Sequence, residues 1–271
     1  MSQPAAGRGE LTVVRAPDGR SVVSRAYATS PLRLLMPRNH GHAAWVYTSS
    51  YGGGLVDGDR LVLDIDVGAG AAAFVSSQAS TKVYRSVRGT SAEVHARIGQ
   101  NGLLVIAPDP VVCFAASRYQ QVQHFDLAAG SSLVLVDWFS SGRHAAGERW
   151  AFDEYRARLR VRQSGTLVVH DSLALRAEDG DLAARLGRFD VLGAALLLGA
   201  PMRDRAVEIL TRVAQMPVTR RADEVLAAAP VGDGCLLRFA GTSVEHAGRT
   251  LREYLGFVPQ LLGDNPWARK W

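Results

Sequence analysis

Lysine and cysteine are scarce in this 271-residue chain, and long apolar runs are missing. The two lysines are Lys82 and Lys270, and the two cysteines, Cys113 and Cys235, lie far apart in the sequence. Such cysteines indicate neither a disulfide framework nor a zinc site, and they favour a reduced, cytoplasmic protein. No apolar run reaches the ~18 residues that a membrane span requires, and the first ten residues lack a signal-peptide pattern.

Motifs of the common enzyme classes are also missing. The sequence has no P-loop, no His-Glu-x-x-His zinc motif and no Gly-x-Ser-x-Gly nucleophile elbow. A transition metal would accept a pair such as His40 and His42, but we interpret these two as surface histidines on a loop. Cys113 lies in an apolar segment, where a thiol usually serves packing. We therefore expect no enzymatic turnover.

The balance of charge is basic, with 31 Lys and Arg against 26 Asp and Glu, a formal net charge of +5. Nucleic acid or another polyanion is a possible partner for such a chain, and we keep polyanion binding by a β protein as the alternative function. The arginines are spread along the sequence, which favours a solvated basic surface. A third hypothesis, a β-helix hydrolase of sugars, needs two carboxylates at catalytic separation, and the sequence fixes no such distance.

Short segments of alternating apolar and polar residues, separated by glycine-rich turns, fill the first two thirds of the chain. This pattern predicts an all-β assembly, and the lack of strand–helix alternation argues against a parallel α/β sheet. Strands are predicted at residues 11–15, 21–28, 32–35, 43–48, 61–67, 72–76, 92–98, 103–106, 120–127, 133–139, 150–162 and 166–175.

Helical patterns appear in the last third. Residues 243–256 are the clearest case, because Ser243 is a typical N-cap, apolar residues recur on one face and Gly256 suits a helix end. A second helix is predicted within residues 201–215, and residues 181–200 mix helix and strand signals. We predict a mainly β fold with two or three helices in the C-terminal third, in a single domain over residues 1–271.

The segment SSYGGGLVDGDRL, residues 49–61, places two aspartates around a glycine. It lacks the Lys-Ser or Lys-Thr pair of a phosphate loop and the ligand spacing of an EF-hand. We interpret it as a glycine turn that enters a strand, with positive φ at one or more glycines. The segment SSQASTKVYRS, residues 76–86, is typical of an exposed amphipathic strand. DWFSSGRHAAGERWAFDEY, residues 137–155, is typical of a hairpin whose charges pair across strands.

Four segments in this order resemble the urease accessory protein UreD family, called UreH in some species: GGGLVDGDRL, QASTKVYRS, PDPVVCFAASRYQQ and LVDWFSSGRHAAGERWAFDEY. The resemblance extends over about residues 25–255. It implies a fold of stacked, β-helix-like strands with a few helices. It also implies a non-enzymatic metallochaperone scaffold that binds apo-urease and, with UreF and the GTPase UreG, delivers nickel to the urease active site. No tightly bound cofactor is implied, only nickel in transit, with an internal tunnel as its route.

The resemblance assigns roles to individual residues. Three glycines and an aspartate match the family pattern Gly-Gly-x-x-x-Gly-Asp. Many members have a further glycine directly before the last Gly-Asp, and Asp57 stands in its place here. Those matching residues are Gly53, Gly54, Gly58 and Asp59. The other motif positions are Gln78, Lys82, Tyr84, Arg85, Trp138, Gly142, Arg143 and Trp150. Oxygen and imidazole ligands hold nickel less firmly than a thiolate cluster would, so the candidates for a transient nickel path are Asp59, Asp137, His144 and Glu148. The candidates for binding a UreF-like partner, in the C-terminal helix and the apolar tail after it, are Arg249, Arg252, Tyr254 and Phe257.

Overall fold

The computed structural model describes residues 6–217 and 219–269. These residues form mainly β-strands, with four α-helices in the last third of the chain. The strands are β1 (Gly7–Arg15), β2 (Ser21–Ala28), β3 (Leu32–Leu35), β4 (Ala44–Ser50), β5 (Arg60–Val67), β6 (Ala72–Ser77), β7 (Thr81–Val83), β8 (Thr90–Ile98), β9 (Leu103–Ile106), β10 (Val111–Cys113), β11 (Arg118–Leu127), β12 (Ser132–Ser140), β13 (Glu154–Gln163), β14 (Thr166–Arg176), β15 (Val191–Leu198), β16 (Glu224–Val231) and β17 (Gly234–Gly241). The helices are α1 (Leu182–Leu186), α2 (Arg203–Ala214), α3 (Val244–Tyr254) and α4 (Val258–Leu262). None of the helices in this described part is long and apolar enough to cross a membrane.

Two mixed sheets pack face to face. The first sheet has seven strands in the order β14-β13-β11-β8-β5-β1-β2. The second follows the order β16-β17-β15-β12-β9-β6-β4-β3, with the short β10 and β7 attached beside β12. Strands β1, β5, β8, β11 and β13 pair in parallel, as do β4, β6, β9 and β12, whereas the outer pairs of both sheets are antiparallel.

Parallel neighbours arise because the chain crosses to the opposite sheet between them. From β4 to β13 the strands alternate between the second and the first sheet, apart from the short β7 and β10. Parallel strands need a crossover connection, which is usually a helix, and here a strand of the other sheet takes that place. The mainly β prediction is confirmed. The finer β-helix-like description is not confirmed, because the sheets are mixed and neither closes on itself over the described residues.

Apolar side chains fill three layers. The layer between the sheets includes Leu63 and Ile65 of the first sheet and Leu133 and Leu135 of the second. A second layer lies between the other face of the second sheet and the helices, as the alternation of inward and outward residues along β12 requires. A third cluster closes one end of the sandwich and contains aromatic residues such as Tyr155.

Most predicted elements are present, and the differences have local causes. Ser243 caps α3 as predicted, since its hydroxyl accepts a hydrogen bond from the His246 amide. The strand predicted from residue 150 begins at Glu154, because Trp150 has a left-handed backbone conformation with φ of 54°. Strand β16 was not predicted, because its alanines and Pro230 carry little strand preference.

Candidate functional site

A polar group interrupts the apolar layer between the sheets at Asp137. Leu133 and Leu135 precede it on the inward face of β12, and the Asp137 carboxylate follows on the same face. Gln121 of β11 donates from Nε2 to both carboxylate oxygens, at 2.8 and 2.9 Å. The Tyr119 hydroxyl donates in turn to Gln121 Oε1 at 3.2 Å. Two strands from opposite sheets therefore hold one carboxylate in a defined orientation.

The Asp137 carboxylate borders a cavity of about 380 Å³ between the sheets. Its walls come from β12, β15, β16 and β17 of the second sheet and from β13 and β14 of the first. Asp171 and Arg238 also line the cavity, and Arg238 donates to Asp171 at 2.8 Å across the gap between the sheets. Both side chains are well exposed, at 38% for Asp171 and 57% for Arg238, so this ion pair marks the side of the cavity nearest to solvent.

Burial dominates the electrostatics of this layer. It raises the pKa of Asp137, against the opposing hydrogen bond from Gln121, and repulsion from Asp171 adds to the rise. Burial likewise raises the pKa of the Tyr119 and Tyr155 hydroxyls, so both stay protonated. A carboxyl group with a raised pKa holds its proton more tightly, and a cation that binds it must displace that proton. A cation at this carboxyl group would therefore compete with its proton.

The glycine turn packs against the segment around β7. Leu55 forms an isolated bridge with Val83, and its amide donates to the Lys82 carbonyl at 2.8 Å. A Cβ on Gly54 would lie 2.6 Å from that carbonyl oxygen and 2.7 Å from the Tyr84 ring, so glycine is required there. Gly58 has φ of 90° and donates its amide to the Gly89 carbonyl. The prediction of a turn that enters a strand with positive φ is confirmed.

Both aspartates of this turn have structural partners. Asp59 Oδ2 accepts a hydrogen bond from the Val56 amide at 2.8 Å and so caps the turn. Asp57 accepts from the backbone amide and the Nε of Arg88, at 2.6 and 3.0 Å. The hydrogen bond from the Arg88 side chain is the main cause that lowers the pKa of Asp57.

A chain of side chains links this region to the loop after β12. The ring of Tyr84 meets that of Phe114 edge to face, with ring centres 5.1 Å apart. The Arg143 guanidinium lies over the same Phe114 ring, 4.4 Å from its centre. Arg143 pairs with Glu148, whose Oε2 also accepts from the Ala115 amide, and this pairing lowers the pKa of Glu148. Two motif segments that are about 60 residues apart thus contact each other through Phe114.

The remaining motif residues occupy varied positions. Trp138 and Trp150 are buried, and their indole nitrogens donate to the carbonyls of Pro108 and Phe189. His144 is 75% exposed, with Nε2 3.8 Å from Asp190. The other positions lie in turns or at the surface: Gly142 has φ of 130°, and Gln78, Lys82 and Arg85 are exposed.

The four predicted nickel-path residues do not form one cluster. Within residues 6–217 and 219–269, no group of three or more His, Cys, Asp and Glu side chains is placed to hold a metal ion. Of the four residues, Asp137 lines the cavity between the sheets. Asp59 accepts from an amide of the glycine turn, His144 lies near Asp190, and Glu148 pairs with Arg143. The part of these three residues in a nickel path stays a prediction.

Comparison of the sequence with known proteins shows the family of this chain. The profile of the family described as UreD urease accessory protein matches residues 5–271. Urease accessory protein UreD of Sorangium cellulosum is 51% identical over 267 residues, which cover 98% of this chain and 85% of that protein. Urease accessory protein D of Oryza sativa subsp. japonica is 32% identical over 295 residues, covering 97% of this chain and 95% of that protein. Urease accessory protein UreD of Haloarcula marismortui is 34% identical, over 89% of this chain and 82% of that protein.

The chain belongs to the UreD urease accessory protein family. The resemblance carried by the four sequence motifs is confirmed. In this UreD-family chain Asp57 is an acceptor for Arg88, and the pair joins the glycine turn to the segment before β8.

The C-terminal segment of this UreD-family chain is part of its core. Tyr254 and Phe257 are 6% and 8% exposed, and Val258 and Leu262 are fully buried. The Leu262 carbonyl accepts from the amides of residues 42 and 43, so the segment is tied to the loop before β4. The second sheet therefore covers much of this apolar tail over the described residues. Lys270 and Trp271 lie outside the described residues.

A groove of about 410 Å³ runs between α3 and the end of β12. Arg249 and Arg252 line it together with the apolar faces of Trp138, Leu255 and Trp267. Arg249 is exposed, and Arg252 donates from Nε to the Gly248 carbonyl. Partner binding by the four predicted residues stays a prediction, and these two arginines are the members that lie at the surface.

Sequence reasoning missed most of the partners of Asp137. Gln121 and Gln123 fall on the inward face of β11, where the alternating pattern predicts apolar residues. A polar residue on the buried face of a strand was the available signal. No local signal identifies Asp171 and Arg238, because their contact depends on how the two sheets meet.

Proposed function

We propose that this UreD-family chain acts in urease maturation as a scaffold that binds apo-urease and, with UreF-like and UreG-like partners, delivers nickel through the cavity at Asp137. Membership of the family supports the role in maturation. The observation that carries the nickel route is an oriented carboxylate beside a cavity between the sheets that opens to solvent at Asp171 and Arg238, in a sandwich whose inner layer is otherwise largely apolar.

The chemistry of Asp137 suits a transient nickel contact. Carboxylate, imidazole and water are weaker anchors for nickel than a thiolate cluster, and both cysteines of this chain are buried. Burial raises the pKa of the Cys113 thiol to about 12, which opposes the thiolate form that binds metals. A conduit must release its ion as readily as it takes it up. One carboxylate that exchanges a proton for a cation meets this requirement.

Co-expression with the urease subunits and the other accessory proteins tests the route. Asp137→Asn is expected to lower the nickel content of purified urease several-fold, because the amide keeps the shape but loses the charge. Ala157→Phe is expected to do the same, since Ala157 lines the cavity and a larger side chain would fill it. The matched control is Asp126→Asn, an exposed aspartate of β11 outside the cavity.

Capture of apo-urease and of the UreF-like partner by the same variants separates passage from binding. Retained capture with reduced nickel content supports the cavity as the route. Full nickel content in urease made with either the Asp137→Asn or the Ala157→Phe variant removes the cavity from the mechanism.

Arg249→Glu combined with Arg252→Glu should lower capture of the UreF-like partner if the groove at α3 is its docking surface.

Polyanion binding is the second candidate function, because one strand carries a row of exposed arginines. Arg156, Arg158, Arg160 and Arg162 share the exposed face of β13, so the arginines are less dispersed than the sequence suggested. Acidic residues such as Asp64 and Asp66 lie on the same face of the sheet, which weakens this candidate. Binding of single-stranded nucleic acid with a steep salt dependence would support it, and the absence of such binding at 50 mM salt would exclude it.

A further inference from the structure

Two histidines face each other on the outer surface of the first sheet. His95 of β8 and His124 of β11 are direct partners in the parallel register. Their neighbours in sequence, such as Ala96 and Phe125, are buried between the sheets, so both imidazoles project to the opposite, solvent-facing side. Neither histidine lines the cavity at Asp137.

The imidazole rings of His95 and His124 are close enough to share an ion. Their centres lie 5.2 Å apart, and their planes are almost perpendicular at 88°. Two imidazole nitrogens that each bind one ion at about 2 Å place their ring centres roughly 5 Å apart for angles near the tetrahedral value. The backbone register already sets this spacing, so a cation could be chelated through side-chain rotations alone.

Charged neighbours give the pair a mixed environment. Glu93 Oε2 lies 3.6 Å from His95 Nε2, and Asp64 of β5 is the register partner of His95 on the other side. Asp126 follows His124 on the same face of β11. Arg160 of β13 is the register partner of His124 and opposes a cation, as does Arg97, which lies on the same face of β8 as His95.

We propose that His95 and His124 form a two-imidazole surface site for a borderline divalent cation such as Ni²⁺, Cu²⁺ or Zn²⁺. Imidazole nitrogen is a preferred ligand of all three ions. With two protein donors and water in the remaining positions, the site binds reversibly and leaves the ion accessible to solvent. This site does not depend on the nickel route at Asp137, so either proposal can be refuted without affecting the other.

Titration of the full chain, free of any affinity tag, with NiCl₂ and with ZnCl₂ tests the site. Calorimetry gives the affinity, and paramagnetic broadening of imidazole NMR resonances by Ni²⁺ identifies the ligands. His95→Gln and His124→Gln are each expected to weaken binding at this site at least tenfold. The double variant should lose no more than either single one, because a chelate fails when one donor is removed. Arg160→Gln should tighten binding by removing the opposing charge.

His170→Gln is the matched control, because His170 lies in the same cross-strand row but is separated from the pair by Arg160. Wild-type affinity in either single variant of the pair would overturn the proposal. Ni²⁺-induced broadening confined to His40 and His42, the pair in the loop before β4, would overturn it too. Broadening of both His95 and His124 at one stoichiometric equivalent would support it.

Discussion

The layer between the two sheets differs from one end of the strands to the other. At one end, Phe125 and Leu127 of β11 and Leu133 of β12 belong to one apolar cluster. At the other end of the same two strands, Gln121 and Asp137 replace this packing with hydrogen bonds beside a cavity. The strands are continuous through both regions, so the backbone ladders do not depend on what fills the layer.

The difference shows how a folded chain can keep a carboxylate beside a cavity in a sandwich. Burying a carboxylate is costly unless hydrogen bonds hold it, and Gln121 supplies two of them to Asp137. The apolar end stabilises the two sheets against each other, which lets the polar end stay less well packed. We assign stability to the first region and the proposed function to the second.

The largest expected effect comes from Leu133→Ala in the apolar end. Leu133 is fully buried, and loss of its side chain leaves a cavity that the rigid sandwich cannot fill. The free energy of unfolding should fall by about 2–5 kcal/mol, measured by urea denaturation. Leu133→Met is the control, because it nearly conserves volume and should cost less than about 1.5 kcal/mol. A loss at Leu133→Ala no greater than at Asp137→Asn would refute the proposed division of the layer.

A smaller effect is expected from Gln121→Met in the polar end. The substitution removes the amide that donates to Asp137 and leaves a buried carboxyl group with fewer partners. The free energy of unfolding should fall by about 1–3 kcal/mol. Gln123→Met is the matched control on the same face of β11, since the Oε1 of Gln123 is buried without a partner among the described residues. Equal losses of unfolding free energy in the two variants would show that the hydrogen bonds to Asp137 add no stability of their own.

The smallest effect, and one of opposite sign, is expected from Asp137→Asn. The folded protein raises the pKa of Asp137 above its usual 3.8, so the ionised form is disfavoured in the fold. The stability of the wild-type protein should therefore fall as the pH rises from about 3.8 through the folded-state pKa. The asparagine variant has no such charge, and its unfolding temperature should exceed that of the wild type by more at pH 7.5 than at pH 4.5. A difference that shrinks with rising pH would contradict the raised pKa.

Much of the fold could be predicted from the sequence, because strand alternation and helix caps are local signals. Ser243 predicted the start of α3, and the glycines around Asp59 predicted the turn that enters β5. The parallel pairing inside each sheet was not predictable, since it depends on which strands the crossing chain brings together.

The candidate site was harder to predict than the fold. Asp137 was identified through family resemblance, but its contact with Gln121 joins strands of opposite sheets and has no signal in either segment. The packing of the apolar tail beginning at Phe257 into the core was not predicted, because composition reveals that a segment is apolar but not what covers it.

The contact between the C-terminal segment and the loop before β4 has a consequence for the order in which the protein can form. The carbonyl of Leu262 holds the backbone of residues 42 and 43, and Trp267 lies edge to face against Phe74 of β6. A nascent chain emerging from the ribosome can pair its early strands as they appear, but this layer stays open until residues 257–267 have been synthesised. The exposed apolar face of the second sheet is then a natural substrate for general chaperones during translation.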